Sequence, residues 1–378
     1  MKIVIATDSF KGSATQQQIA QTIIGTISEM APDVNVVAVP LADGGEGTLQ
    51  TIAAVVPDAR WHRCRVPYPI IAPRFADVNL EASYLTAGDT AYVELASATG
   101  LTQIASVERD IMHTSTLGTG VLIADALRHG FRQICLTLGG SATCDGGMGI
   151  LNALGLQFLD KDGNLLSPVP ANFMSINQVK ADEFFEVASQ AHYTLLCDVR
   201  NPLLGENGSA SVFAPQKGAT PEQVVELERG LNHMSGLFPN TVADTPGAGA
   251  AGGVAAAMMA FFDALISSGA AEMLRLSRFC EIIADADLII TGEGRIDGQT
   301  LMGKLPAQVL DMANKASVPC VAICGCVDYD AELPPFRAII PVTPPFLPLE
   351  EAMRTETTLQ NISNATRTII SNFFNLDS

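Results

Sequence analysis

Along the chain, apolar positions follow two alternating rhythms. Short β-branched runs give way to stretches whose apolar residues recur every three or four positions, and glycine-rich turns join them. Residues 2–6 (KIVIA) predict a strand. A helix follows, opened by Ser13 with Gln16 at capping-box spacing, faced by Ile19, Ile23, Ile24, Ile27 and Met30, and closed by Pro32. VNVVAV predicts a second strand, leading through LADGGEGT into a helix carrying Leu49, Ile52 and Val56. From Arg63 to Asp89 the text is proline-rich and lacks helical period, which predicts a crossover into a second domain.

Beyond it come the strand AYVELA, a helix around Val121, Leu122 and Leu127 stopped by Gly130, and a strand that breaks into LGGSATCDGGMG. LQFLDKDGNLL predicts a hairpin with a DKDG turn. YTLLCDV predicts a strand, and PEQVVELERGLNHMSGLF a helix with Thr220 as N-cap, Pro221 at N1 and Gln223 three residues after the cap. The tail returns to the opening rhythm. DLIITGEGRIDGQT predicts a strand plus loop, LPAQVLDMANKA a helix, VPCVAICG and RAIIPVT strands, and residues 348–373 a closing helix. The whole predicts an α/β fold. Residues 1–65 and 285–378 form a doubly wound, mainly parallel-sheet domain, and residues 66–284 a second α/β domain inserted in it.

Composition narrows the functional classes. With 48% hydrophobic and 16% charged residues the chain can bury extensive core. A formal net charge of −18 disfavours nucleic acid and anionic membranes as partners, but not a small anion held by backbone N–H groups. The apolar run Ile3–Ala6 is too short for a secretory signal, and GAGAAGGVAAAMMAFF predicts a buried helix rather than a membrane span. Eight cysteines form no CxxC pair and five histidines are dispersed, which argues against zinc and for reduced thiols. A soluble cytoplasmic protein is expected.

Five predicted strand ends carry small or polar residues before a helix signal: DSFKGS, ADGGEGT, GGSATCDGG, DVRNPLLGENG and TGEGRIDGQT. GAGAAGG opens a helix without a strand before it and reads as close helix packing. Glycine there lets N–H groups surround an oxyanion, or simply turns the chain. Neither a P-loop nor a clean strand-linked GxGxxG is present. Asp8, Asp43, Glu46, Asp145, Asp198, Glu293 and Asp297 all fall in these loops. Helix capping is the favoured role for Glu46 and Asp145. Carboxylates beside a phosphate cradle otherwise hold Mg²⁺ or take a proton, a combination that describes phosphoryl transfer to a hydroxyl. Lys11, Arg200, Lys217, Arg295 and Lys304 are the accompanying cations, and His113 reads as a cap or core residue.

KIVIATDSFKGS, PLADGGEGT, HTSTLGTG, LGGSATCDGGMG, CDVRNPLLGENG, FAPQKGAT, PGAGAAGG and ITGEGRIDGQT resemble, in order, the signature blocks of the bacterial glycerate kinase family, of the glycerate 2-kinase type. The resemblance runs from Met1 to the last helix. It implies ATP-dependent phosphorylation of D-glycerate to 2-phosphoglycerate with Mg²⁺, and two α/β domains with the active site between them. Thr7 stands where the family usually has proline, Cys144 where it has Asn or Val, and Arg200 where it has Thr or Asp. The stretch after the DKDG turn is shortened to SPVPANF.

On this reading ATP and D-glycerate are the small-molecule substrates. Asp198 or Asp8 is the expected base, with Lys11 beside Asp8. Ser9, Asp43, Arg200, Asn201 and Arg295 are expected to bind substrate. Gly139, Gly140, Ser141, Gly292, Glu293 and Gly294 are expected to contact nucleotide phosphates, with Asp145 or Asp297 near Mg²⁺.

Overall fold

The computed structural model describes residues 1–10, 12–42, 44–298, 300, 304–330 and 332–374. Its strands are β1 (Lys2–Thr7), β2 (Asn35–Ala38), β3 (Arg60–Pro67), β4 (Asn79–Ala87), β5 (Thr90–Glu94), β6 (Gln133–Thr137), β7 (Leu156–Leu159), β8 (Gln178–Ala181), β9 (His192–Leu196), β10 (Leu265–Ser267), β11 (Leu288–Ile296), β12 (Cys320–Val327) and β13 (Ala338–Pro341). The chain divides into two compact units, Met1–Asp43 with Ala270–Ser378, and Gly44–Gly269. Along the chain the division falls after residues 43 and 269, where the sequence reading has it after 65 and 284.

The first unit holds a five-stranded parallel sheet, ordered β13-β12-β11-β1-β2. β1 and the first six residues of β11 are almost wholly buried, as central parallel strands covered on both faces must be. Helix Gln16–Met30 lays Ile19, Ile23 and Ile27 against Ile3 and Ile5 in a core shared with Ile362, Ile369 and Ile370 of the last helix, Thr355–Phe374. The first helix starts later than the sequence suggested. Its capping box is Thr15 with Gln18, because Ser13 is spent on a tight turn, donating from its N–H and hydroxyl to the Phe10 carbonyl.

The chain leaves β1 toward β2 on one side, and returns through β11 to β12 and β13 on the other. The strand order therefore reverses between β1 and β11, the place where open α/β sheets bind ligands. The glycines of TGEGRI were expected in a loop. They lie instead inside β11, where Gly292 pairs with both β1 and β12, and Glu293 and Arg295 on either side of Gly294 pair with β12. Two flanking strands hold them extended despite their weak strand propensity.

The second unit carries a six-stranded sheet, ordered β10-β9-β6-β5-β4-β3, parallel from β10 to β5 and antiparallel beyond. The proline-rich crossover expected from Arg63 to Asp89 is mostly the long β3–β4 antiparallel pair. The DKDG turn forms between Asp160 and Asn164, and the expected hairpin closes through an antiparallel bridge between Leu159 and Leu165 and the Leu166 N–H donating to the Phe158 carbonyl, while β7 also pairs with β8. Helix Pro221–Ser235 has the expected Thr220–Gln223 box, and helix Ala250–Phe262 is buried along nearly its whole length. Among the described residues no helix is long and apolar enough to cross a membrane.

Candidate active site

Three adjacent strands of the first unit run out into aspartates: Asp8 after β1, Asp297 after β11 and Asp328 after β12. Asp8 is anchored by its N–H, which donates to the Gly292 carbonyl at 2.8 Å. Glu293, within β11, is 7% exposed and accepts from the Thr300 hydroxyl at 2.6 Å. Lys304 Nζ lies 3.4 Å from Glu293 and 3.6 Å from Asp297, so one ammonium serves both carboxylates. Burial raises the Glu293 pKa, Thr300 and Lys304 pull it down, and the Asp8 charge adds a smaller upward push.

Of the expected substrate ligands here, Arg295 is exposed and spans Asp297 (3.6 Å) and Asp328 (3.2 Å). Its guanidinium is engaged with protein carboxylates. Ser9 lies half-buried beside Asp8, while Lys11 and Asp43 fall outside the described residues. Gly292, Glu293 and Gly294, expected to cradle phosphates, are strand residues whose backbone serves the sheet, which leaves Glu293's carboxylate as their chemical contribution. Asp328 had no signal in the sequence. A lone acid after a strand becomes notable only once its neighbours are known.

In the second unit, β5, β6 and β9 end at one edge of the sheet. Gly139 and Gly140 follow β6. Gly139 donates to the Gly44 carbonyl at 3.2 Å, and a Cβ on Gly139 would lie 2.5 Å from Gly45 Cα. Glycine is therefore required where the two loops cross. Residues 140–142 pair with 99–101, which fixes Ser141 in extended backbone. Beneath them Lys217 is 4% exposed and donates to Ser141 Oγ and to the Thr143 carbonyl, both at 2.7 Å.

Asp145 is fully buried and accepts four hydrogen bonds: Thr116 N–H and Oγ1 at 2.7 Å each, and Gly147 and Gly149 N–H at 3.1 Å each. It ties the start of helix Leu117–Arg128 to that of helix Met148–Ala153. Burial raises its pKa and the four donors lower it. With both oxygens committed, the expectation that Asp145 ligates metal does not fit this geometry, and its capping alternative does.

Glu94, at the end of β5, was not singled out in the sequence. It accepts from the Gly47 (3.1 Å) and Leu49 (3.3 Å) N–H groups, capping helix Thr48–Val55 from across the fold. Asp198 and Arg200 are exposed on the loop after β9. Asn201 is occupied locally, its amide donating to the Asn207 carbonyl at 2.9 Å and its carbonyl accepting from Gly249 at 3.0 Å. The GAGAAGG stretch packs on this loop and on 143–146. Ala251, Gly252 and Gly253 are left-handed, and Gly252 accepts from Gly146 N–H.

Comparison with known proteins shows the family to which the chain belongs. The family model described as "Glycerate kinase family" matches residues 3–373. The glycerate 2-kinase of Escherichia coli (strain K12) is 39% identical over 334 residues, 87% of this chain and 86% of its own. The glycerate kinase of Halalkalibacterium halodurans is 38% identical over 361 residues, 93% of each chain. Among solved structures, that of a candidate glycerate kinase 2 from Salmonella typhimurium LT2 superposes with a TM-score of 0.78 at 35% identity, covering 98% of both chains.

Proposed function

The chain belongs to the glycerate kinase family, and on that premise we propose that it transfers the γ-phosphoryl group of ATP to the 2-hydroxyl of D-glycerate. The observation that carries the reading is the group Asp8, Glu293 and Asp297 at the point where the strand order reverses, with Lys304 between the last two. Phosphoryl transfer needs little covalent help from a protein. It needs charge control around the phosphates and an acceptor for the hydroxyl proton. Asp8, half-buried at the end of β1, is the better placed acceptor. Exposed Asp198 is the alternative.

Among the described residues no group of three or more His, Cys, Asp or Glu side chains could hold a metal ion alone. That suits Mg²⁺, which usually takes one or two carboxylates together with substrate phosphates and water. Asp297, with hard oxygen donors beside Lys304, is the residue we assign to it, and Asp145 is set aside. Such an ion would supply charge neutralisation for the phosphates when bound. Lys304 holds Glu293 and Asp297 at fixed spacing and tempers their mutual repulsion.

The test is a coupled assay with ATP and Mg²⁺ against D-glycerate, L-glycerate, tartronate and hydroxypyruvate, with NMR of the product. D-Glycerate turnover to 2-phosphoglycerate is expected, and Asp8→Asn should lower kcat by about a hundredfold or more. Turnover only of another acid, or a 3-phosphate product, overturns the substrate assignment. A fully active Asp8→Asn moves the base to Asp198.

A further inference from the structure

The second unit buries a cation without giving it a carboxylate. Lys217 Nζ has no ion-pair partner within 4.0 Å among the described residues; its two acceptors are the neutral Ser141 Oγ and Thr143 carbonyl. An ammonium has three protons to donate, so one is unassigned among these residues. Beside it, Thr143 Oγ1 is buried and has no hydrogen-bond partner among the described residues. Burying a charge on these conditions is costly, and structural needs alone do not demand it. A methionine would fill the same space.

The direction of one hydrogen bond follows from the charge. A protonated Lys217 can only donate, so Ser141 Oγ accepts, and the Ser141 hydroxyl proton must point away from the lysine. No acceptor for that proton exists among the described residues. Ser141 thus becomes an obligate donor in the strand-end turn where the carboxyl ends of β5, β6 and β9 lie together.

We propose that Lys217 is a positioning residue: its buried ammonium fixes Ser141 as a hydrogen-bond donor to an acceptor-only ligand group, a phosphoryl oxygen of the nucleotide. This rests on the reading that residues 139–141 contact nucleotide phosphates. Lys217 itself need not touch the ligand. Its charge acts through the orientation it imposes on one hydroxyl.

The arrangement carries a pH signature. Burial brings the Lys217 ammonium down to about 8, and its titratable neighbours are Cys144, whose thiol burial pushes up to about 11, and Asp145, held by its four donors. Above that pH the neutral amine offers a lone pair. The Ser141 proton can then turn toward Nζ, and the donor is lost to the ligand. kcat/KM for ATP should therefore fall on the alkaline side with a midpoint near 8.

The experiment measures kcat/KM for ATP against pH in wild type, Ser141→Ala, Lys217→Met and the double variant, with circular dichroism to establish folding. Each single change should cost about 10- to 100-fold at neutral pH, as loss of a hydrogen bond to a charged group does. The double variant should be no worse than the weaker single one, and the alkaline limb should vanish in all three. If Ser141→Ala keeps wild-type kcat/KM, the phosphate-contact reading fails and the proposal falls with it. If Ser141→Ala loses activity while Lys217→Met keeps both rate and limb, only the role of Lys217 is overturned. Should Lys217→Met not fold, the alkaline limb decides: present in wild type and absent in Ser141→Ala supports the proposal, unchanged between them overturns it.

Discussion

Asp145 is where the capping and metal-ligand readings of one carboxylate make opposite forecasts. Asp145→Ala would strand the Thr116 N–H and hydroxyl and the Gly147 and Gly149 N–H groups in a fully buried site. At about 1–3 kcal/mol for each unmet donor the simple sum is about 4–12 kcal/mol. Relaxation of the glycine turn recovers part of that, so the net loss should be about 3–5 kcal/mol, the range for breaking a buried charged network. Asp145→Asn keeps one acceptor oxygen but sets an NH₂ against donors, and should cost about 2–4 kcal/mol by the same reasoning.

Trp61 is the sole tryptophan and lies in the same unit, so its fluorescence during urea unfolding follows the unit that contains Asp145. The measurement is made without nucleotide or Mg²⁺, because any ligand of the native state would shift the midpoint by mass action. Faster amide exchange at Thr116 and Gly149 should accompany the lost stability. A wild-type midpoint for Asp145→Asn, together with a lost response of turnover to Mg²⁺, would refute the capping argument and restore Asp145 as a metal ligand.

Three further outcomes follow from local geometry. Burial lifts the Glu94 pKa above the ordinary glutamate range although backbone N–H groups pull it down. Its contribution to stability is therefore full below the ordinary value and is lost as pH rises through the folded one. Glu94→Gln should remove that decline, at most about 1.4 kcal/mol per pH unit, from urea midpoints read by Trp61 fluorescence. Gly252→Ala would force a Cβ into the Thr143 carbonyl oxygen at a φ of 75°, and should lower the same midpoint by about 2–4 kcal/mol. Thr7 is fully buried with no partner for its hydroxyl among the described residues, so Thr7→Val should stabilise the first unit by about 1 kcal/mol, measured by calorimetry.

What the sequence made legible, and what it hid, follows from how far each determinant is spread along the chain. KIVIA and DLII declared themselves as central strands because burial on both faces demands unbroken apolar runs. β3 did not: RWHRCRVP exposes much of one face, and only its register with β4 makes it a strand. Glycines in TGEGRI suggested a loop until β1 and β12 were seen on either side, some 285 and 30 residues away.

The site divides in the same way. Asp8, Asp145 and Asp297 could be picked out because an acid after an apolar run, among glycines, is a local pattern. Glu94 caps a helix 45 residues upstream, and Asp328 joins the others only through the strand order. The reversal between β1 and β11 is the most telling feature for function, and it is absent from any single stretch of sequence. It exists because residues 2–7 pair in parallel with both 35–38 and 288–292, and it places Asp8 beside Glu293. The chemistry of the first unit is thus set by topology acting on residues that, one at a time, are only acids in glycine-containing loops.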